Sequence, residues 1–239
     1  MTNPNPLGYQ KGEPPQIVDL QRAYDTVGHT TGAELRMLAK YAAVTPAAIV
    51  ELGTYLGRSA IALALAAKWK PVYTVDMFTD AHLYSPGGPR GGFEYHKENR
   101  DGFLANIEKA GLTIGAAETL CDVAPIHSET VKAGQQWRGE IGLLFVDADH
   151  NEEPLRADLA AWTPHVVNGG YLALHDYNDL EPGVMANAAE LLASGDWERI
   201  DGVHSLAVFQ RIRAAVVERP VAQATAPVEK KPARKAAKR

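Results

Sequence analysis

The stretch Ile49-Val50-Glu51-Leu52-Gly53-Thr54-Tyr55-Leu56-Gly57-Arg58-Ser59 decides the fold of this chain. An apolar run ends on an acidic residue, a turn with two glycines follows, and an alanine-rich helical segment begins near Ser59. Three later apolar runs also end on acidic or imidazole side chains, at Asp76, at residues 147–150 and at residues 175–176. Because parallel strands present their carboxyl ends at one edge of a sheet, these endings predict a single ligand cleft.

Strand-like and helix-like segments alternate along most of the chain. The predicted strands are Ala48–Leu52, Val72–Asp76, residues 119–124, Ile141–Val146, residues 171–174, and a closing pair at residues 197–200 and 205–212. The predicted helices are residues 59–69, 99–110, 155–162 and 183–192, with one or two more in residues 17–43. This alternation predicts an α/β fold, a doubly wound, mostly parallel seven-stranded Rossmann-like sheet. Asp201-Gly202 is expected to turn its closing antiparallel hairpin.

Composition divides the chain into four parts. We expect a flexible leader at residues 1–16, an N-terminal helical extension at 17–45, the main domain at 46–213 and a disordered basic tail at 214–239. The whole chain carries a net charge of −5, and the tail holds seven Lys or Arg against two Glu, which leaves −10 for the rest. An acidic body of this kind disfavours a nucleic acid as partner.

The cellular setting follows from what the sequence lacks. No apolar run is long enough to span a membrane, so a membrane partner is not expected. The single cysteine, Cys121, excludes an intrachain disulfide, favours a reducing compartment and is expected to be a buried structural thiol. Together these features predict a cytoplasmic protein. Whether the helices of residues 17–43 pack on their own domain or form a homo-oligomer stays open.

The turn after the first strand has the features of a cofactor site. Glycines at positions 53 and 57 let the backbone approach a ligand closely, and the helix that begins near Ser59 points its N–H groups into the same space. The Gly-x-x-x-Gly spacing differs from the Gly-x-Gly-x-x-Gly pattern of dinucleotide-binding folds, which disfavours NAD. Asp76 ends the second strand, where a carboxylate can accept both hydroxyls of a ribose.

These motifs resemble class I S-adenosylmethionine-dependent methyltransferases over about residues 46–211. The resemblance rests on residues 51–59, Val75-Asp76, residues 145–150 and residues 169–176. It implies S-adenosyl-L-methionine as cofactor, with Glu51 and Gly53 against its methionine and ribose and Met77 beside the adenine. The cofactor-binding residues that the resemblance implies are Glu51, Gly53, Thr54, Gly57, Ser59, Asp76, Met77, His127, Ser128 and Asp147.

A second group of polar residues follows the strands that end near residues 146 and 174. Asp147, Asp149, His150, His175 and Asp176 are expected to converge, because these two strands should be neighbours. Two carboxylates from adjacent strands can bind a hard cation such as Mg²⁺ through oxygen. Such a cation can lower the pKa of a substrate hydroxyl while a histidine accepts the proton.

This second group resembles metal-dependent small-molecule O-methyltransferases of the caffeoyl-CoA and catechol type and of the macrolide-sugar and cephalosporin-pathway type. The resemblance implies that Asp147 and Asp176, with His175, hold a divalent cation, and that His150 and Asp147 are catalytic. Mg²⁺ is expected first and Mn²⁺ second, although imidazole is a better ligand for Mn²⁺. The implied substrate is a small hydroxylated molecule, and residues 79–102, which include His82 and His96, are expected to form a lid.

Three other functions stay open at this point. A metal-independent or N-directed methyltransferase shares the fold and the methyl donor, and resistance to a chelator distinguishes it. An NAD(P)-dependent oxidoreductase uses a similar sheet, but the glycine spacing counts against it. A non-catalytic module that binds a nucleotide-like ligand does not need so many acidic and imidazole side chains at its strand ends.

Overall fold

The computed structural model describes residues 18–67, 70–78, 99–116 and 121–213. The predicted leader, nearly all of the predicted lid and the predicted basic tail lie outside the described residues. Seven strands form one sheet: β1 (Ala48–Leu52), β2 (Val72–Asp76), β3 (Val123–His127), β4 (Ile141–Val146), β5 (Val166–Leu174), β6 (Trp197–Val203) and β7 (Leu206–Arg211). Their order is β3-β2-β1-β4-β5-β7-β6, and β7 runs antiparallel to both neighbours. The predicted seven-stranded, mostly parallel sheet with an antiparallel closing hairpin is confirmed.

Helices cover both faces of the sheet. They are α1 (Gln21–Tyr24), α2 (Gly32–Val44), α3 (Arg58–Ala67), α4 (Asn99–Lys109), α5 (Thr130–Gln136), α6 (Glu152–Trp162) and α7 (Pro182–Ala193). One buried cluster packs helices α1, α2, α3 and α4 against one face of the sheet. A second cluster packs α5, α6 and α7 against the other face. Two apolar layers around one central sheet give the doubly wound arrangement that was predicted.

The third strand and the helix after it differ from the sequence expectation. Strand β3 begins at Val123, whereas residues 119–124 were predicted, and it contains Pro125. Proline cannot donate to a strand ladder, and β3 tolerates it because β3 is an edge strand. Helix α5 was not predicted, since seven residues give too short an apolar period to detect.

The closing hairpin turns at His204-Ser205 and not at Asp201-Gly202, which corrects the prediction. Residues Asp201 and Gly202 continue β6 and pair with β7, after an irregularity in register between Arg199 and Asp201. His204 adopts the left-handed conformation of the tight turn, with φ of +51°. Asp201 uses its carboxylate elsewhere, to accept hydrogen bonds from two side chains of α2.

The N-terminal helices belong to the same core as the sheet. Helix α2 begins with a capping box, in which Thr31 and Glu34 each accept a hydrogen bond from the other's backbone N–H. Leu35 and Leu38 of α2 are fully buried in the cluster that contains α3. This packing places the start of α2 close to the turn between β6 and β7.

Three smaller findings complete the fold. Asn151 occupies the N-cap position of α6, but its side chain donates to Asp149 rather than capping the helix. Cys121 is partly exposed, which corrects the expectation of a buried thiol. In the part of the chain that the structure describes, no helix has both the length and the apolar character needed to cross a bilayer.

Candidate active site

The carboxyl ends of β2, β1, β4 and β5 lie side by side at one edge of the sheet. The chain leaves β1 toward β2 on one side, and β4 and β5 continue on the other, so the order reverses between β1 and β4. Ligands of open α/β sheets bind in the crevice at such a switch point. The polar residues predicted from the four strand endings therefore come to one place.

The glycine turn after β1 packs directly against the end of β4. Gly53 has φ of +81°, and a Cβ atom there would lie 2.3 Å from the carbonyl oxygen of Asp147. The N–H of Gly53 donates to Val75, and the N–H of Asp147 donates to Leu52. Only glycine satisfies both the conformation and the close approach, so this position links the two parts of the site.

Asp76 holds the glycine turn through backbone hydrogen bonds. Its Oδ2 accepts the N–H of Thr54 at 2.8 Å and that of Tyr55 at 3.1 Å. Its Oδ1 accepts the N–H of Phe78 at 2.8 Å. Three donors fix the carboxylate at the end of β2; Oδ2 already accepts two of them, whereas Oδ1 accepts one and keeps a lone pair for a ligand hydroxyl. The ribose role of Asp76 stays a prediction.

Glu51 is a fully buried carboxyl group at the end of β1. Its Oε2 accepts the hydroxyl of Thr54, while Oε1 has no hydrogen-bond partner among the described residues. Burial raises the pKa of Glu51 to about 8, and the charges of Asp147 and Asp76 add to that effect against the hydroxyls of Ser59 and Thr54. A cationic ligand group near Oε1 would favour the ionised form of Glu51 against this burial.

The remaining predicted cofactor residues surround this turn. Gly57 ends it with φ of +86°, and Ser59 is buried in the first turn of α3. Met77 follows Asp76 and is half-buried. His127 is exposed at the end of β3, and the N–H of Ser128 donates to the Asp76 carbonyl at 3.2 Å. The structure thus gathers all ten predicted cofactor residues at this edge, without testing their contacts to a cofactor.

The second group lies at the ends of β4 and β5. Nδ1 of His175 is 3.0 Å from Oδ1 of Asp147 and 3.3 Å from Oδ2 of Asp176. One ligand atom from each of these three residues lies within 4.8 Å of the other two. Asp176 also has φ of +55°, a strained conformation that non-glycine residues seldom adopt away from turns and functional sites.

His150 faces the same two carboxylates from the loop after β4. Its Nε2 lies 3.6 Å from Oδ1 of Asp147 and 3.3 Å from Oδ2 of Asp176. Burial alone would lower the pKa of His150, but the two carboxylates outweigh burial and raise the pKa above its usual value. For Asp147 and Asp176, burial acts to raise the pKa, and the two histidines lower it below the usual range. The four groups therefore hold one another in charged form.

Asp149 does not join this group, although the sequence placed it there. It is exposed, and its Oδ1 accepts the backbone N–H and the side-chain amide of Asn151, each at 2.8 Å. It shapes the loop that leads into α6.

Glu34 is the residue at this site that the sequence did not indicate. It is 1% exposed, and its Oε2 lies 3.5 Å from Nε2 of His175. Burial alone would lower the pKa of His175, but Asp147, Asp176 and Glu34 together outweigh burial and raise the pKa to about 12. The capping-box pattern explains an acidic residue in the first turn of a helix. The sequence therefore offered no reason to expect a distant contact of Glu34.

The donor set fits a divalent cation. Two carboxylate oxygens and an imidazole nitrogen converge, and the second nitrogen of that imidazole faces a buried carboxylate, as is usual for metal-binding histidines. The His175 side chain is 5% exposed, and both of its ring nitrogens face carboxylate oxygens, Nδ1 at 3.0 Å from Asp147 and Nε2 at 3.5 Å from Glu34. The mixed oxygen and nitrogen set suits Mn²⁺, Fe²⁺ or Zn²⁺ better than Mg²⁺.

Comparisons with known proteins agree with this geometry. The profile of the family described as "Methyltransferase domain" matches residues 50–177, more than half of the chain. Among solved structures, CalS11, a calicheamicin methyltransferase, is similar with 15% identity and a TM-score of 0.57, covering 76% of this chain and 80% of that chain. The O-methyltransferase NovP has 18% identity and a TM-score of 0.56 over 75% of this chain and 79% of its own. An O-methyltransferase from Bacillus cereus in complex with SAH has 16% identity and a TM-score of 0.54 over 80% and 87%.

At these identities the solved structures establish the fold, and the family match establishes the class. That match begins in β1, spans the glycine turn and Asp76, and ends just after Asp176. It excludes the nicotinamide-dependent oxidoreductase and the non-catalytic module. The chain therefore belongs to the methyltransferase-domain family and is a class I S-adenosylmethionine-dependent methyltransferase.

Proposed function

We propose that this methyltransferase methylates a hydroxyl group of a small molecule with the help of a divalent cation bound by Asp147, His175 and Asp176. The observation that carries the proposal is the approach of these three side chains to within 4.8 Å at the strand ends beside the glycine turn. Isolated acidic residues are common on protein surfaces, but two partly buried carboxylates that share a buried imidazole are not.

The methyl donor lies, in this proposal, across the ends of β1 and β2. Asp76 accepts a ribose hydroxyl at Oδ1, which keeps a lone pair beside the N–H of Phe78. The carboxylate of Glu51, which has an oxygen without a partner, faces the positively charged end of the donor. Met77, His127 and Ser128 border the adenine, and Ser59 the methionine carboxylate.

The reaction moves a methyl group from the sulfonium sulfur to the acceptor oxygen and leaves S-adenosylhomocysteine. When bound, a divalent cation supplies Lewis-acid assistance that lowers the pKa of the acceptor hydroxyl. His150 accepts the hydroxyl proton at Nε2. Asp147 and Asp176 face Nε2 of His150 and raise the pKa of His150, which makes its imidazole a stronger proton acceptor.

A metal-independent methyltransferase, on oxygen or nitrogen, is the second candidate, and one observation favours it. The imidazolium of His175 lies between Glu34, Asp147 and Asp176. A protonated histidine among three carboxylates offsets one of their three negative charges without a cation. In that case Asp147, His175 and Asp176 form a buried ion-pair cluster that orients His150.

A chelator experiment separates the two candidates. Purified protein is treated with EDTA and assayed for S-adenosylhomocysteine formation against a panel of catechols, sugar derivatives and amines, then again after addition of Mn²⁺ or Mg²⁺. We expect turnover on a hydroxylated acceptor only after metal is restored. Equal turnover in EDTA supports the metal-independent candidate, and fragmentation of the product by mass spectrometry distinguishes O- from N-methylation.

Asp149, in the loop after the neighbouring strand β4, supplies the matched control for Asp176. Asp176→Asn removes one proposed ligand charge, so metal-stimulated turnover should fall by roughly 100- to 1,000-fold. Asp149→Asn changes an exposed carboxylate that contacts only its own loop, and its turnover should stay within about twofold of the native value. Equal effects of the two substitutions would contradict the proposed metal site.

A further inference from the structure

Glu34 is a buried carboxylate that joins three parts of the chain. Its Oε2 accepts the N–H of Thr31 at 2.7 Å, which is its share of the capping box. Its Oε1 accepts the N–H of Ser205 at 3.1 Å and the Ser205 hydroxyl at 2.9 Å, in the turn between β6 and β7. The third partner is Nε2 of His175. A capping box needs only the first of these contacts and is usually exposed, so the capping role does not explain the burial.

Four polar atoms surround the Glu34 carboxylate: the N–H groups of Thr31 and Ser205, the Ser205 hydroxyl and Nε2 of His175. Burying a carboxylate is costly unless partners surround it. The chain accepts this cost where the start of α2 meets His175, directly after β5.

The imidazole of His175 is held between two different kinds of partner. Its Nε2 faces Glu34 at 3.5 Å, and its Nδ1 faces Asp147 and Asp176. A histidine binds a metal through a nitrogen that carries no proton, so the proton must reside on the other nitrogen. In metal sites a carboxylate or carbonyl near that other nitrogen fixes the tautomer.

We infer that Glu34 is a positioning residue that keeps the proton of His175 on Nε2 and thereby presents Nδ1 to a cation between Asp147 and Asp176. The inference rests on the proposed metal-assisted function. It gives the N-terminal helical extension a part in the reaction, because α2 contributes the residue that orients a ligand on β5. The backbone N–H of Thr31 holds one oxygen of the Glu34 carboxylate, and the N–H and hydroxyl of Ser205 hold the other.

Metal affinity in the absence of turnover tests the inference. Mn²⁺ is titrated into metal-free protein with S-adenosylhomocysteine present, and free Mn²⁺ is measured by electron paramagnetic resonance. Glu34→Gln keeps the size of the side chain but removes its charge, and one amide orientation donates to Nε2 instead of accepting from it. We expect the Mn²⁺ affinity to fall by roughly 10- to 100-fold.

Thr31→Ala is the matched control for damage to the capping box. It removes the hydroxyl that accepts the Glu34 N–H and contacts His204, but not the contact between Glu34 and His175. Thr31→Ala should lower the melting temperature by roughly a few degrees and leave Mn²⁺ affinity unchanged. A loss of affinity shared equally by both variants would show that α2 acts only through stability, and would overturn the inference.

A measurement on the native protein keeps the test independent of any variant's folding. Nitrogen NMR of the Zn²⁺-loaded protein, with labelled histidine, reports which nitrogen of His175 carries the proton. We expect a protonated Nε2 and a metal-bound Nδ1. The opposite assignment, or an unchanged Mn²⁺ affinity in Glu34→Gln, overturns the inference but leaves the metal-assisted function intact. Failure of the native protein to bind any of these ions overturns both.

Discussion

The two halves of the active-site edge are built in different ways. At the ends of β1 and β2, the Asp76 carboxylate is held by backbone N–H groups of nearby residues, Thr54, Tyr55 and Phe78. At the ends of β4 and β5, side chains hold side chains: Asp147, His150, His175 and Asp176 face one another, and Glu34 reaches them from α2.

The two kinds of construction suit the two halves to different tasks. Backbone donors are fixed by the fold, so the β1–β2 half is a preformed cradle whose shape depends on main-chain geometry. The β4–β5 half depends on a balance of charges, so one altered side chain changes the protonation of the others. The first arrangement suits a constant cofactor, and the second suits a step in which a proton moves.

Gly53→Ala should produce the largest effect, because Gly53 is the point where the two halves touch. A Cβ atom there would collide with the carbonyl of Asp147 and would require a strained φ. We expect loss of about 3 kcal/mol in the free energy of unfolding and no measurable binding of S-adenosylmethionine. Denaturant unfolding and calorimetry measure the two quantities.

Gly169→Ala separates strain from collision. Gly169 has a similar φ of +74°, but nothing lies within 4 Å of its missing Cβ atom. The variant should lose only about 1 kcal/mol and bind the donor normally. Comparable losses in the two variants would show that the contact with Asp147 is unimportant.

His150→Gln should lower the turnover number by roughly 100-fold or more, because it removes the proposed general base. The donor half does not depend on His150, so the affinity for S-adenosylmethionine should change by less than about twofold. His165→Gln, which alters a histidine that contacts Gly134 on the far helices, is the control. A loss of donor affinity equal to the loss of turnover would mean that the halves are not separate.

Asp76→Ala should weaken binding of S-adenosylmethionine by roughly 10- to 100-fold, the cost of losing hydrogen bonds to a charged acceptor. Metal affinity should stay unchanged, because the β4–β5 half holds itself together. Asp122→Ala is the control. The Asp122 carboxylate precedes β3 and accepts the backbone N–H and the hydroxyl of Thr113. Calorimetry on both variants should find a donor defect in Asp76→Ala alone, and unchanged donor affinity there would refute its ribose role.

Asp158, a buried carboxyl group outside both halves, should have the smallest effect on the site, because its replacement alters stability and neither donor nor metal binding. Burial raises its pKa from 3.8 to about 6, helped by the charge of Asp149 and opposed by Thr130. Because the folded state resists ionisation of Asp158, stability should fall as the pH rises from about 4 to about 6. Asp158→Asn should therefore stabilise the protein by roughly 1–3 kcal/mol at pH 7 and by little at pH 4. Denaturant curves at the two pH values provide the measurement, and equal gains would contradict the pKa assignment.

The sequence predicted the cradle well because its signals are local. The acid, the glycine turn and the helix start lie within eleven consecutive residues, and Asp76 follows the next strand. The neighbouring positions of β4 and β5 followed from the rule for parallel sheets, which is why Asp147, His175 and Asp176 could be grouped before the structure.

The sequence did not predict contacts that cross between distant elements. Glu34 meets His175 only because the turn at Ser205 lies beside the start of α2, and no periodicity carries that information. The hairpin turn was misplaced for a related reason: Asp201-Gly202 has the composition of a turn, but a change of register in β6 and two hydrogen bonds from α2 keep Asp201 within the strand.

The measurement that tests the account most directly is calorimetric titration of S-adenosylmethionine and of Mn²⁺, each into EDTA-treated native protein and into Asp176→Asn. The account predicts that the donor binds both proteins with micromolar affinity, whereas Mn²⁺ binds the native protein at one site and Asp176→Asn at least tenfold more weakly. Absence of donor binding, or equal Mn²⁺ binding by the two proteins, would contradict a methyl-donor cradle beside a separate metal-binding half.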